Sequence, residues 1–130
     1  RKIEIDWPPY FKDLERILGK IGGEILAETL ADWVSWKIKG QEQDHSLATF
    51  SKKIEKTDGK IDLSDDPGKN LRKIRAYQTW PGAYFFDQKN GKRIVIKKAR
   101  IENGKLVLER VLPEGKKEMI YSDFIKGQRN

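Results

Sequence analysis

A chain of 130 residues is long enough for one domain with a modest core, or for a small domain with an extension. It holds no cysteine, which excludes a disulfide framework and a thiolate zinc site, and its apolar runs are only a few residues long, too short to cross a membrane. The formal charge of +7 is unevenly placed: residues 1–66 carry 11 Lys/Arg against 14 Asp/Glu, a net −3, whereas residues 67–130 carry 16 against 6, a net +10.

That asymmetry points to a polyanionic partner, with a solvated lysine-rich surface as the plain alternative. The chain starts on Arg1 without a signal-peptide core and reads as a piece of a longer protein.

The first element is predicted from Pro8-Pro9, which suit a helix start, and from Leu14, Leu18, Ile21 and Ile25 at three- and four-residue spacing. The helix is expected over 9–36, with Gly40 as its stop. A lone amphipathic helix cannot bury its own stripe, so it must lie on something. The polar stretch up to Ser46 reads as a linker. "LATFSKKI" suggests a short strand, and "TDGK" a turn, because Asp-Gly favours positive φ. His45, the single histidine, falls in the linker with no partner acid or nucleophile and reads as a surface or capping residue.

"SDDPGKNLRKIRAY" predicts a helix near 66–76. Ser64, Asp65 or Asp66 caps it, Pro67 stands in its first turn, and Leu71 and Ile74 are its buried positions. Capping explains the Asp65-Asp66 pair better than metal binding does, since no further carboxylates cluster at ligand spacing. From about residue 82 the period changes to two. Three strands follow, joined by Asn90-Gly91 and Asn103-Gly104, the strongest short hairpin signal. Ile94 and Ile96 have the opposite parity to Ala99 and Ile101, and a bulge at Lys97-Lys98 would put all four on one side. Pro113-Glu114-Gly115 is a turn, and Ser122 or Asp123 is expected to cap a last turn around Phe124. Trp80, Tyr84, Phe86, Ile94, Ile96, Leu106 and Leu108 are the expected core.

Catalytic signatures are missing: no phosphate-binding loop, no dinucleotide-binding glycine motif, no cysteine nucleophile and no histidine cluster. No catalytic residue and no metal ligand are assigned. Bases interleaved with aromatics suit nucleic-acid binding, in which rings stack on bases. The alternation of Trp80, Tyr84 and Phe86 favours core packing for the rings.

Three ordered motifs carry a family resemblance. "IRAYQTWPGAYFF" resembles the Trp-Pro-Gly-Ala signature of the methionyl-tRNA formyltransferase C-terminal domain, with Gln78-Thr79 in place of the usual Asn-Pro. "QDHSLATFSKKIEKTDGKIDL" resembles the segment joining that family's two domains, and "PEGKKEMIYSDFIKG" its closing motif. The 9–36 helix is similar to the last helix of the catalytic domain. The resemblance implies the following division: 1–39 is the C-terminal helix of a Rossmann-like catalytic domain whose motifs are missing here, 40–65 is the interdomain linker, and 66–130 is an OB-like C-terminal tRNA-binding domain. The implied fold is α+β, mainly β with a helical N-terminal part: a small antiparallel OB-like barrel preceded by an amphipathic helix and linker. The connection from Ile101 to Pro113 is shorter than the family's, so the barrel is expected to be reduced or open.

The resemblance also implies a parent transferase of translation initiation in protein biosynthesis. It would be cytoplasmic, moving a formyl group from 10-formyltetrahydrofolate, as co-substrate, to methionyl initiator tRNA. No cofactor is expected on this chain. The implied partners are initiator methionyl-tRNA and the chain's own N-terminal catalytic domain, with no membrane. Lys69, Arg72, Lys73, Arg93, Lys97, Lys98, Lys116 and Lys117 are the expected nucleic-acid-binding residues, on one basic face. The alternative is a stand-alone OB-like nucleic-acid-binding module without catalysis.

Overall fold

The computed structural model describes residues 2–128. The chain divides into two compact units, one comprising the residues up to Lys12 together with those from Ile54 on, the other Asp13–Lys53.

The second unit is dominated by helix α1, which runs Phe11–Val34 and contains no fully buried residue. Leu18, Leu26 and Leu30 are half exposed or more, whereas Leu14, Ile21 and Ile25 are half-buried. The helix ends six residues before Gly40. Trp36 adopts φ 60°, its N–H donates to Trp33 O at 3.1 Å, and the Lys37 N–H donates to Asp32 O at 2.9 Å. This is the paired closure usually built on a glycine, here with tryptophan in the left-handed position. The strand expected in "LATFSKKI" is not formed. A single 3-10 turn, His45–Leu47, is capped by the Asp44 side chain. Beyond it Phe50 is 95 % exposed, and the described residues of this unit offer no sheet edge to pair with it.

The first unit holds a four-stranded antiparallel meander, β1 Tyr84–Phe86, β2 Arg93–Glu102, β3 Lys105–Pro113 and β4 Met119–Ile120, in the order β1-β2-β3-β4. The two outer strands do not close on each other, so the sheet is open. Helix α2, Pro67–Ala76, starts as its sequence dictates: the Asp66 carboxylate accepts from the Lys69 N–H and Pro67 occupies the first turn. It buries Leu71 and Ile74 with Ile61, Ala83, Ile96 and Ala99. Helix α3, Tyr121–Lys126, has no side-chain cap from Ser122 or Asp123, and packs Phe124 on Ile94 and Val111. Phe85 joins both clusters.

The expected bulge is present, and it is doubled. Ile96 pairs with Val111, Lys98 with Arg110 and Ala99 with Leu108. Lys97 on β2 and Glu109 on β3 are each one residue too many, so the register before and after is the same. Both strands change parity there. Ile94, Ile96 and Ala99 all end on the covered side, while Ile101 is 42 % exposed beyond the helix. At the tip, Asn103 (φ 50°) and Gly104 (φ 72°) make the two-residue turn that the sequence announces.

Two core expectations fail. Trp80 is 51 % and Phe86 46 % exposed, whereas Tyr84, Ile94 and Ile96 are buried and Leu106 and Leu108 are partly so. Alternation puts the three rings on one face, and Tyr84 and Phe86 do meet edge to face at 5.5 Å. That face has no helix over its Phe86 end. Tyr84 is covered instead by the Arg93 guanidinium, 4.0 Å from its ring centroid. The "TDGK" turn exists as a 3-10 turn, Lys56–Gly59, yet Gly59 is needed for a different reason: a Cβ there would stand 2.3 Å from Gly82 O. The two turns press together, and the Ile61 N–H donates to Tyr84 O at 2.9 Å just beyond.

Candidate nucleic-acid interface

The eight expected basic residues lie on three supports. Lys69, Arg72 and Lys73 project from α2. Its other side is buried on the Ile96–Ala99 face of the sheet. Arg93, Lys97 and Lys98 leave β2 on the opposite side, by alternation with Ile94, Ile96 and Ala99. Lys116 and Lys117 occupy the exposed turn before β4, where Gly115 has φ 73°. The β2 group therefore leaves the sheet on the side away from the α2 group. Lys116 shares a concavity with Arg93, Val95 and Leu112. It also borders a cleft of about 520 Å³ with Lys89 and Lys92, two lysines that charge and spacing alone do not single out.

Their freedom differs. Arg93 is committed to the fold: it covers Tyr84 and donates from its Nη2 to Pro81 O at 3.0 Å. Lys98 stands 3.1 Å from the Glu109 carboxylate, and Arg100 lies 2.7 Å from the same group. These two cations hold the Glu109 carboxyl below its ordinary value, the Lys98 bond being the larger cause. Lys69 pairs with Asp65 at 2.9 Å, and the Lys73 ammonium reaches Lys60 O at 3.5 Å. Arg72, Lys97, Lys116 and Lys117 are exposed and have no ion pair with a described residue. A solvated cation of that kind is free to meet a phosphate, and several together raise the local concentration of a polyanion.

A further concavity lies beside β1. Lys60, Asp62, Phe86 and Gln88 border a cleft of about 580 Å³, with the Lys60 ammonium 5.6 Å from the Phe86 ring centroid. The sequence gives little warning of Lys60, whose only signal is a cation directly after the Asp-Gly turn.

Among the described residues no three of His, Cys, Asp and Glu gather as a metal site requires, and no helix is long and apolar enough to cross a membrane. His45 is exposed.

Comparison with known proteins agrees with this architecture. Residues 53–106 match the family described as "Formyl transferase, C-terminal domain". The methionyl-tRNA formyltransferase of Campylobacter curvus is 40 % identical over 73 residues, 56 % of this chain and 24 % of that protein. That of Roseiflexus castenholzii is 32 % identical over 138 residues, 89 % of this chain and 44 % of the relative. The chain thus spans less than half the length of these curated relatives. A solved methionyl-tRNA formyltransferase from Clostridium thermocellum superposes with a TM-score of 0.52 at 21 % identity, over 68 % of this chain and 38 % of the other, which shows a shared fold. Sequence and fold agree, and residues 53–106 place this domain in the formyl transferase C-terminal domain family.

Proposed function

We propose that the chain is the tRNA-side module of its parent enzyme, meeting the phosphates of methionyl initiator tRNA while another part of the parent performs the formyl transfer. The parent would take the formyl group from 10-formyltetrahydrofolate, in the cytoplasm, and residues 1–39 would pack on its catalytic domain. The observation that carries this reading is the group of exposed, unpaired cations Lys97, Lys116 and Lys117 on a domain whose relatives bear the name methionyl-tRNA formyltransferase. Arg72, Lys69 and Lys73 form a second basic patch on α2. Lys98 and Arg93 complete the set with charges already shared inside the protein.

Phosphate contacts give affinity without base specificity, so the chain should bind tRNAs with little preference for the initiator. The test is tRNA binding across a salt series. Removing one free cation that meets a phosphate reduces the slope of log affinity against log salt by about 0.7–0.9. Lys116→Ala/Lys117→Ala removes two free cations and should reduce it by about 1.4–1.8. Lys97→Ala/Lys98→Ala removes one free cation and one held by Glu109, and should change it by about half as much. An affinity indifferent to salt, or both double variants binding as the wild type does, rejects the assignment. The purified chain alone should produce no formyl-methionyl-tRNA, and detectable product would place catalysis on this module after all.

A further inference from the structure

The cleft beside β1 combines features that a plain electrostatic surface does not need. Phe86 ends the edge strand with nearly half its surface open. Its main chain is open as well. The Asp87 N–H donates to Lys92 O at 2.9 Å and the Ile96 N–H to Ala83 O at 2.8 Å, so odd-numbered residues of this strand bond to β2 and even-numbered ones face away. Tyr84 O, facing away, accepts from the Ile61 N–H at 2.9 Å. After Ile61 the chain turns off, with the Asp65 N–H closing onto Asp62 O at 3.1 Å, and among the described residues no strand runs along this outer edge of Phe86. An aromatic face, an adjacent main-chain donor and acceptor, the Lys60 ammonium and the Gln88 amide therefore border one concavity of about 580 Å³.

We propose that this cleft receives one unpaired nucleobase of the bound RNA. The base takes the place of the Lys60 ammonium over the Phe86 ring and stacks there, its edge hydrogen-bonds to the Phe86 main chain, and the displaced Lys60 side chain meets the sugar-phosphate that follows. The proposal rests on the RNA-binding reading above and adds to it a subsite for a single-stranded nucleotide. Two features favour a base over its neighbours. Asp62 and Asp65 line the same cleft, Asp65 paired with Lys69 and Asp62 with no ion pair to a described residue, so the Asp62 carboxylate disfavours a phosphate inside it and leaves the uncharged ring as the part that enters. A single open residue offers one donor and one acceptor, enough for a base edge and too few for the ladder by which a peptide adds to a sheet.

The experiment compares an RNA hairpin bearing a short unpaired 3′ tail with the same hairpin made blunt, by fluorescence anisotropy at fixed salt. The wild type should prefer the tailed hairpin about tenfold, the scale of one base–aromatic stack. Phe86→Leu keeps an apolar side chain and should abolish the preference while binding the blunt hairpin as the wild type does. Amide NMR of the unmodified chain gives an answer that does not depend on a variant folding: the Phe86 N–H should shift with the tailed hairpin and not with the blunt one. Equal binding of both hairpins, or a preference that survives Phe86→Leu, overturns the subsite and leaves the phosphate reading intact. Failure to bind either hairpin overturns both. A Phe86 amide shift produced by a short extended Thr-Val peptide and not by the tailed RNA would give the edge to a peptide strand and reject the nucleobase.

Discussion

Gly59→Ala tests the close approach on which the β1 cleft is built. The new Cβ would stand 2.3 Å from Gly82 O and 3.0 Å from Pro81 Cγ. The first of these is a backbone atom of a turn that also holds Pro81 O for the Arg93 guanidinium, so no flexible side-chain end can swing aside. Overpacking at such a site costs about 1–3 kcal/mol. If the two turns separate, the hydrogen bond from the Ile61 N–H to Tyr84 O is strained or broken, adding about 0.5–1.5 kcal/mol. The total is about 1.5–4.5 kcal/mol, which for a domain of this size lowers Tm by at least about 5 °C. Thermal and urea unfolding followed by circular dichroism measure it. Gly91→Ala is the control: Gly91 has φ 67° with nothing within 4 Å of its ideal Cβ, so it carries only the left-handed penalty of about 1–2 kcal/mol. A Gly59→Ala protein melting within about 2 °C of wild type, or above the Gly91→Ala protein, would show that the turns yield freely and that the close approach is not a constraint.

Trp80→Ala should cost about 1–2 kcal/mol in a denaturant titration, below the roughly 3–5 of a fully buried tryptophan, because half its surface is already in water. A cost in the higher range would return Trp80 to the core. Glu109 gives a pH dependence whose sign follows from its depressed carboxyl. Its contribution is present above the ordinary carboxylate range and disappears as pH falls through the folded value. The Tm difference between wild type and Glu109→Gln should therefore shrink on acidification, and a difference that grows in acid would contradict the Lys98–Glu109–Arg100 cluster.

Local signals are legible in the sequence where they act locally. Asp66-Pro67 opens α2 because a cap and a fixed φ need only their own neighbours. Asn103-Gly104 turns the hairpin for the same reason, and the parity change at Lys97-Lys98 is visible in the order of apolar residues. Sequence patterns fail where a second segment decides. Alternation groups Trp80, Tyr84 and Phe86 but cannot say whether anything covers that group, and here cover reaches only Tyr84. Gly59 looks like a left-handed turn residue until Gly82, distant in sequence, is seen against it. The basic residues are identifiable by charge alone. Which of them are free depends on β2–β3 register, since Glu109 meets Lys98 only once the doubled irregularity is known. The α2 basic group cannot be separated from the β2 group without knowing which side of the sheet the helix covers.

The surplus residues Lys97 and Glu109 also set a rule for how this hairpin can change length. Because one extra residue on each strand cancels the other, deleting the pair together would join two stretches that already share a register, and Ala99 would follow Ile96 in ordinary alternation on the same side. Deleting either alone leaves a single one-residue bulge on the other strand, which keeps every pair out to Glu102 and Lys105 but removes the opposing bend. Length variants at this point therefore change the bend of the hairpin and not its pairing, so it could be trimmed or extended from its middle as well as from its tip.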